Sequence, residues 1–221
     1  MQTKLIATDG SPFGAYEVAP DGAGAAIVVA QEIFGVNAHI RSTVDRYASL
    51  GYRAIAPALF DRVEPGLELD YDADGIDRGR ELASAIKWDG AMADLAAAVD
   101  HVASTGPVAV VGYCFGGSLA WLSACDLPVS AAVGYYGGQV YELNDRSPAA
   151  PTMLHFGELD HAIPLEHVRA VAAAHPDVAV HVYDGAQHGF NCDARASYEP
   201  LSAAIALGRT VEFLLANGVR P

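Results

Sequence analysis

Three kinds of residue in the second half of this chain could together perform nucleophilic chemistry. They are a cysteine between glycines, a histidine in a glycine-bounded loop, and aspartates that follow strand-like segments. Cys114 lies in Val108-Ala-Val-Val-Gly-Tyr-Cys-Phe-Gly-Gly117. Gly-x-Cys-x-Gly after an apolar run is the nucleophile-elbow pattern with cysteine in place of serine. Such an elbow is a strained turn between a strand and a helix. Residues two before and two after the nucleophile must lack bulk so that the two elements can approach. Gly112 and Gly116 meet that requirement. Cys114 would then stand at a helix N-terminus, where the dipole and the free N–H groups favour a thiolate. The N–H of Phe115 would point at a developing oxyanion.

A cysteine nucleophile needs a base, and the base needs an orienting acid. In elbow-bearing folds the chain order is nucleophile, acid, histidine. His155 and His181 fall inside strand-like runs, and His167 and His175 on or just after a helix. His188 differs, because Asp184-Gly-Ala-Gln-His-Gly-Phe190 is a loop directly after the last strand. A loop there can hold an imidazole over the sheet edge, so His188 is the candidate base. Its protonation at low pH is expected to remove activity. For the acid, Gly157-Glu-Leu-Asp-His161 follows another strand, and Asp160 is the best placed. Glu158, Asp177 and Asp184 are its rivals, and His161 is not expected to be the base.

Earlier in the chain, Ala25-Ala-Ile-Val-Val-Ala30 leads straight into Gln31-Glu-Ile-Phe-Gly-Val-Asn37. Glu32 is therefore expected to be partly buried beside the thiol, with a perturbed proton affinity. Ile33 occupies the loop that supplies the second oxyanion N–H in elbow-bearing folds.

These residues have to be positioned by regular elements. Leu5 to Ala7 and Gly14 to Val18 read as an antiparallel edge around a turn. Residues 25–30 read as a strand buried on both faces and Val108 to Val111 as a buried strand; Arg53 to Pro57, Val129 to Tyr136, Pro151 to Phe156 and Val178 to Tyr183 read as further strands. Helices are expected from Asn37, as N-cap, to about Leu50. Others are expected over Arg78 to Lys87, about Gly90 to Ala103, Ser118 to Cys125, Leu165 to Ala174 and Tyr198 to Ala216. Asp94 and Asp100 are placed on the outer face of theirs. Residues 61–77, rich in Asp, Glu, Gly and Pro, read as a surface excursion. Strands alternating with helices specify a mostly parallel α/β sheet with helices on both faces, its functional residues at the strand C-terminal ends. No linker divides residues 1–221, so one domain is expected.

Composition excludes several classes. The 221 residues carry a formal net charge of −14. That argues against nucleic acid and anionic membrane as partners, and an anionic substrate must be drawn in by local arginines. The three cysteines are too few and too odd for a disulfide framework, and none are spaced as metal ligands. The first ten residues lack the apolar core of a secretory leader. Residues 102–125 carry no charge, but Gly106-Pro107 and the elbow glycines break the stretch, so a strand and a helix explain it better than a membrane span. A reducing cytoplasm, where Cys114 stays a free thiol, is the expected compartment.

Taken together, these motifs resemble the dienelactone hydrolase family (carboxymethylenebutenolidases) of the α/β-hydrolase fold. The resemblance covers nearly the whole chain. It is carried by Gln31 to Asn37, Gly51-Tyr52, Ala56-Pro57, Val111 to Gly117, Ala132 to Gly137, Gly157 to Asp160 and Gln187-His-Gly-Phe190. It implies Cys114 as nucleophile, His188 as base, Asp160 as orienting acid, and Glu32 as the carboxylate that helps generate thiolate. Ile33 and Phe115 match the oxyanion donors. The implied substrate is a small lactone bearing a carboxylate, with no cofactor or metal, and a monomer is expected. Arg80-Glu81 matches the family's arginine-glutamate pair, but Ser84 stands where a tyrosine is expected and Cys192 where a second arginine is expected. Arg195 lies close enough to substitute, and Tyr135 matches a pocket-edge tyrosine. Loss of one charge-assisted contact costs roughly 1.5–3 kcal/mol, or about one to two powers of ten in affinity. An alternative is a redox- or electrophile-responsive thiol protein with Cys125 and Cys192 as resolving thiols, although no C-x-x-C motif supports it. A binding protein that has lost turnover ranks last.

Overall fold

The computed structural model describes residues 2–221; Met1, the first residue of the segment read for a leader, lies outside them. Eight strands form one sheet: β1 (Gln2–Ile6), β2 (Pro12–Val18), β3 (Ala26–Ala30), β4 (Arg53–Pro57), β5 (Val108–Tyr113), β6 (Ala131–Tyr135), β7 (Thr152–Gly157) and β8 (Ala179–Tyr183). Their order is β1-β2-β4-β3-β5-β6-β7-β8. The β1–β2 and β2–β4 pairs are antiparallel, and every other pair is parallel. Among the described residues, four helices connect strands, α1 (Ala38–Ser49), α2 (Ala73–Val102), α3 (Phe115–Asp126) and α4 (Leu165–Ala174), and α5 (Pro200–Ala216) follows the last strand. This is the expected α/β-hydrolase architecture.

The strands form where small and β-branched apolar residues run together. Every residue of β3, β5, β6 and β7 is buried, which requires cover on both faces of the sheet. Helix α1 starts where Asn37 accepts the Ile40 N–H at 3.2 Å, and it buries Ile40, Val44 and Tyr47. It stops at Gly51, whose φ of 97° suits glycine.

The strand order has one consequence for function. From β3 the chain crosses by α1 to β4 on one side, and from β5 it crosses by α3 to β6 on the other. β3 and β5 are neighbours in parallel register, Ala30 opposite Gly112. The crevice above their carboxyl ends is a topological switch point, where open α/β sheets bind ligands. Glu32 and Cys114 each lie two residues past that matched pair.

Three expectations are corrected. The excursion at 61–77 is partly built into the fold. A 3₁₀ turn at Leu59–Arg62 buries Leu59 and Phe60, and α2 begins at Ala73, capped by Asp72, rather than at Arg78. Periodicity missed that start because Ala73-Asp-Gly75 gives no apolar signal. The two helices expected over 78–103 are present as the two halves of α2, on either side of a break at Lys87, with φ 54° and ψ 169°, where the first of them was expected to end. Asp94 does not face outward. Its side chain is fully buried and accepts two 2.8 Å hydrogen bonds from the Arg62 guanidinium. Arg62 also reaches Asp9 at 2.7 Å, so this bidentate pair ties α2 to the 3₁₀ turn and the β1–β2 turn. The charge-free stretch 102–125 forms the end of α2, β5 and most of α3. Among the described residues no helix is long and apolar enough to cross a membrane.

Arg62→Met leaves Asp94 buried without its counter-charge. The expected loss is about 3–5 kcal/mol, on the order of ten degrees in Tm for a chain of this size. Thermal unfolding followed by circular dichroism measures it.

Candidate active site

The site begins at the backbone of Cys114, with φ 54° and ψ −114°, a conformation non-glycine residues rarely adopt. The surroundings hold it there. A Cβ on Gly112 would meet the Gly116 carbonyl oxygen at 1.8 Å, and one on Gly116 would meet that of Ala30 at 2.1 Å. Both positions must therefore be glycine for β5, α3 and the end of β3 to touch. The Gly116 N–H donates to the Gln31 carbonyl at 3.0 Å, and the Cys114 N–H to that of Tyr135 at 2.9 Å. The elbow is thus pinned to the strands on either side of it.

Over this turn the loops after β7 and β8 deliver the partners. His188 Nε2 lies 3.2 Å from Cys114 Sγ. Its Nδ1 lies 2.8 Å from Asp160 Oδ2. The Asp160 carboxylate is fully buried, and its other oxygen accepts the Ala162 N–H at 2.9 Å. With Nδ1–H committed to Asp160, Nε2 is the nitrogen that exchanges a proton with sulfur. Burial opposes charging His188. Proximity to the Cys114 sulfur and the hydrogen bonds to Asp160 and Cys114 outweigh that, and its pKa is raised to about 10. This corrects the expectation of an ordinary imidazole that charges only at low pH. The rival acids are elsewhere: Glu158 accepts the Gly185 N–H, and Asp177 and Asp184 are exposed.

Phe115 is the first residue of α3, so its N–H has no intrahelical acceptor. Ile33 is held opposite by Gln31, whose side chain spans the Glu32 carbonyl and the Leu59 N–H. The Ile33 carbonyl packs on Gly79 of α2, where a Cβ would meet it at 2.1 Å. That contact explains a glycine inside a helix.

Glu32 is fully buried, but its partners are not the thiol. Oε2 accepts the Tyr71 hydroxyl at 3.0 Å, and Oε1 lies 3.5 Å from Arg195 Nη1. Arg195 is packed near the Phe34 and Tyr71 rings and lines the pocket. It does stand in the region left by Cys192, with its charge already answered by Glu32. Arg80 also lines the pocket; its side chain is 72% exposed and 3.7 Å from Asp77. Tyr135 is not at the pocket edge. Its side chain is buried, with its hydroxyl 2.6 Å from that of Thr210. As β6 ends, the alternation of side chains sends Tyr135 into the core. Tyr136, with φ 39°, turns toward the site instead, its ring 5.1 Å from that of His188.

The pocket over Cys114 encloses about 880 Å³. Sequence reasoning did not foresee Trp88 and Lys87 in its wall. Trp88 stacks on Phe115 at 5.4 Å, and the strained Lys87 stands beside it. The sequence places both at the junction of two helices, but nothing local shows that this junction faces the pocket. Tyr71, the partner of Glu32, was hidden in the acidic excursion.

A mostly parallel sheet with its elbow at the switch point is an α/β-hydrolase. Comparison narrows the class. The sequence model of the Dienelactone hydrolase family matches residues 13–217. The carboxymethylenebutenolidase of Pseudomonas putida is 37% identical over 217 residues, covering 93% of this chain and 92% of that protein. Carboxymethylenebutenolidase 1 of Cupriavidus pinatubonensis is 33% identical over 226 residues, covering 96% and 94%. A crystal structure from Klebsiella pneumoniae, assigned as a dienelactone hydrolase, superposes with a TM-score of 0.84 at 29% identity, covering 97% of this chain and 98% of that one. The chain belongs to the dienelactone hydrolase family, and it is an ester hydrolase.

Titration of the His188 imidazole by NMR should give a pKa of about 10. In Cys114→Ala it should fall well below that, because the neighbouring sulfur is the foremost influence raising it.

Proposed function

We propose that this enzyme opens small lactones or esters through a thioester on Cys114. The observation that carries the reading is the continuous line from Asp160 through His188 to Cys114, at 2.8 and 3.2 Å. The Cys114 thiolate attacks the substrate carbonyl, and the carbonyl oxygen gains negative charge facing the N–H groups of Ile33 and Phe115. As the intermediate collapses, the imidazolium of His188 protonates the leaving oxygen. For a lactone that oxygen stays tethered to the acyl group. Acylation removes the charge on sulfur, and with it the foremost influence raising the His188 pKa. His188 then becomes a base. It takes a proton from water, the hydroxide attacks the thioester, and the acid leaves as Cys114 is regenerated. The charge on one sulfur thus sets which half of the reaction His188 serves.

Arg80, whose exposed side chain has only a 3.7 Å contact with Asp77, is the arginine best placed to hold a substrate carboxylate, with Lys87 beside it in the pocket wall, since Arg195 is half-buried against Glu32. Trp88, Phe115, Ile33 and Ile76 give the acyl and alcohol portions an apolar wall. Similarity to the carboxymethylenebutenolidase of Pseudomonas putida supports a carboxylate-bearing lactone, and the changes at Ser84 and Cys192 support a broader choice. The alternative of a redox-responsive thiol gains nothing from the structure. Burial pushes the Cys125 thiol up to about 11 and the Cys192 thiol up to about 12, so neither is poised to resolve a disulfide.

Hydrolysis of cis- and trans-dienelactone and of a neutral aryl ester, followed by absorbance, tests the proposal. Cys114→Ala should lower kcat/KM for both by several powers of ten, on the order of 10⁴ or more; unchanged turnover would overturn it. Arg80→Ala should raise KM about tenfold or more for the anionic lactone and leave the neutral ester nearly unaffected. The pH profile has a stated sign. His188 keeps its proton below about 10, so kcat/KM should fall as pH rises through that value. The acid limb should appear instead in deacylation, measured by single turnover.

A further inference from the structure

Below the pocket lies a second cluster that the proposed reaction does not use. Glu32, His39 and Cys192 are all buried, and each offers one ligand atom, the three lying within 4.8 Å of one another. They come from three segments: the loop after β3, helix α1 and the loop after β8. His39 is 4% exposed. Its Nδ1 lies 2.9 Å from an oxygen of Asp193, whose side chain is half exposed. Its Nε2 is shut off from solvent and has no hydrogen-bond partner. A buried nitrogen without a partner is rare and costly. A carboxylate on the other nitrogen of the ring is the arrangement that orients histidine as a metal ligand and leaves Nε2 with its lone pair free.

We infer that Glu32, His39 Nε2 and Cys192 form a binding site for a thiophilic divalent cation of the zinc class. Carboxylate oxygen, imidazole nitrogen and thiolate sulfur are a zinc donor set, with bond lengths of roughly 2.0–2.3 Å. A tetrahedral face built on such bonds has edges of about 3.3–3.6 Å, so the three atoms need draw in by only about an ångström. Binding displaces the Cys192 proton to solvent as the sulfur–metal bond forms. At the ligands the charges then close, since Glu32 and the thiolate supply two negative charges against the cation's two. Two groups compete for Glu32: the Tyr71 hydroxyl, which donates to Oε2 at 3.0 Å, and Arg195, which reaches Oε1 only at 3.5 Å, the outer edge of a hydrogen bond. The fourth coordination position is left to water. Occupancy cross-links the loop that carries Ile33 to α1 and to the loop after β8, and so stiffens the oxyanion side of the active site. The site exists because cysteine stands at position 192, where an arginine would place a positive charge.

The test uses the full chain carrying Cys114→Ala, so that the Cys114–His188 pair cannot bind the metal. Titration with Co(II) should saturate at one equivalent and produce a thiolate-to-cobalt charge-transfer absorption. Zn(II) should displace the cobalt and raise Tm. Adding Cys192→Ser should abolish the band and weaken Zn(II) binding at least tenfold, adding His39→Gln should do the same, and adding Cys125→Ser should change neither. Cys192→Ser changes one atom, so it decides the matter alone if the His39 variant fails to fold. A band that survives Cys192→Ser, or no saturable binding at one equivalent, overturns the inference.

Discussion

Everything in this molecule depends on one close approach of backbone to backbone. At the elbow the end of β3, the end of β5 and the start of α3 meet so tightly that side chains at Gly112 and Gly116 would collide with carbonyl oxygens. That contact forces Cys114 into an unfavourable left-handed conformation and points its sulfur out over the sheet. It also places the N–H of Phe115 beside the loop that carries Ile33, through the hydrogen bond from Gly116 to Gln31. A strained residue persists only where its surroundings over-determine it. Here the neighbours on both sides of β5 do so.

The electrostatics follow from this placement. A thiol at a helix N-terminus, an imidazole and a buried carboxylate stand in line, and the two outer groups raise the proton affinity of the imidazole between them. Beside them Glu32 is occupied by Tyr71 and Arg195, so negative charge near the sulfur is already answered. An arginine that resembles a substrate-binding group is thereby also a structural partner. The sheet supplies the rigidity: the segments carrying Glu32, Cys114 and Asp160 leave the carboxyl ends of the fully buried strands β3, β5 and β7, and the His188 loop leaves the neighbouring edge strand β8.

Much of this was legible in the chain. Apolar runs of strand length, the Asn37 cap and the glycine spacing around Cys114 are local signals, and local propensity and packing agree there. The order Cys114, Asp160, His188 was legible because each follows a strand. What was not legible involved contacts between distant segments. Asp94 looks like a surface residue until Arg62 arrives from the 3₁₀ turn. Tyr135 and Tyr136 are adjacent, and only the twist at the end of β6 decides which of them faces His188. The break of α2 at Lys87 was legible, but not that it turns Lys87 and Trp88 into the pocket wall, because that depends on where Phe115 and the loops above it pack.

By itself, then, the sequence determined the element order, the elbow and the identities of the groups able to react. These depend on residue type, short spacing and period, which neighbours along the chain enforce. The tertiary structure alone decided which carboxylate meets which cation, how far the imidazole's proton affinity is raised, and that Glu32, His39 and Cys192 converge. Those depend on distances between segments 28 to 163 residues apart in sequence and on exclusion of water, and neither quantity exists until the sheet has closed and the loops have packed above it.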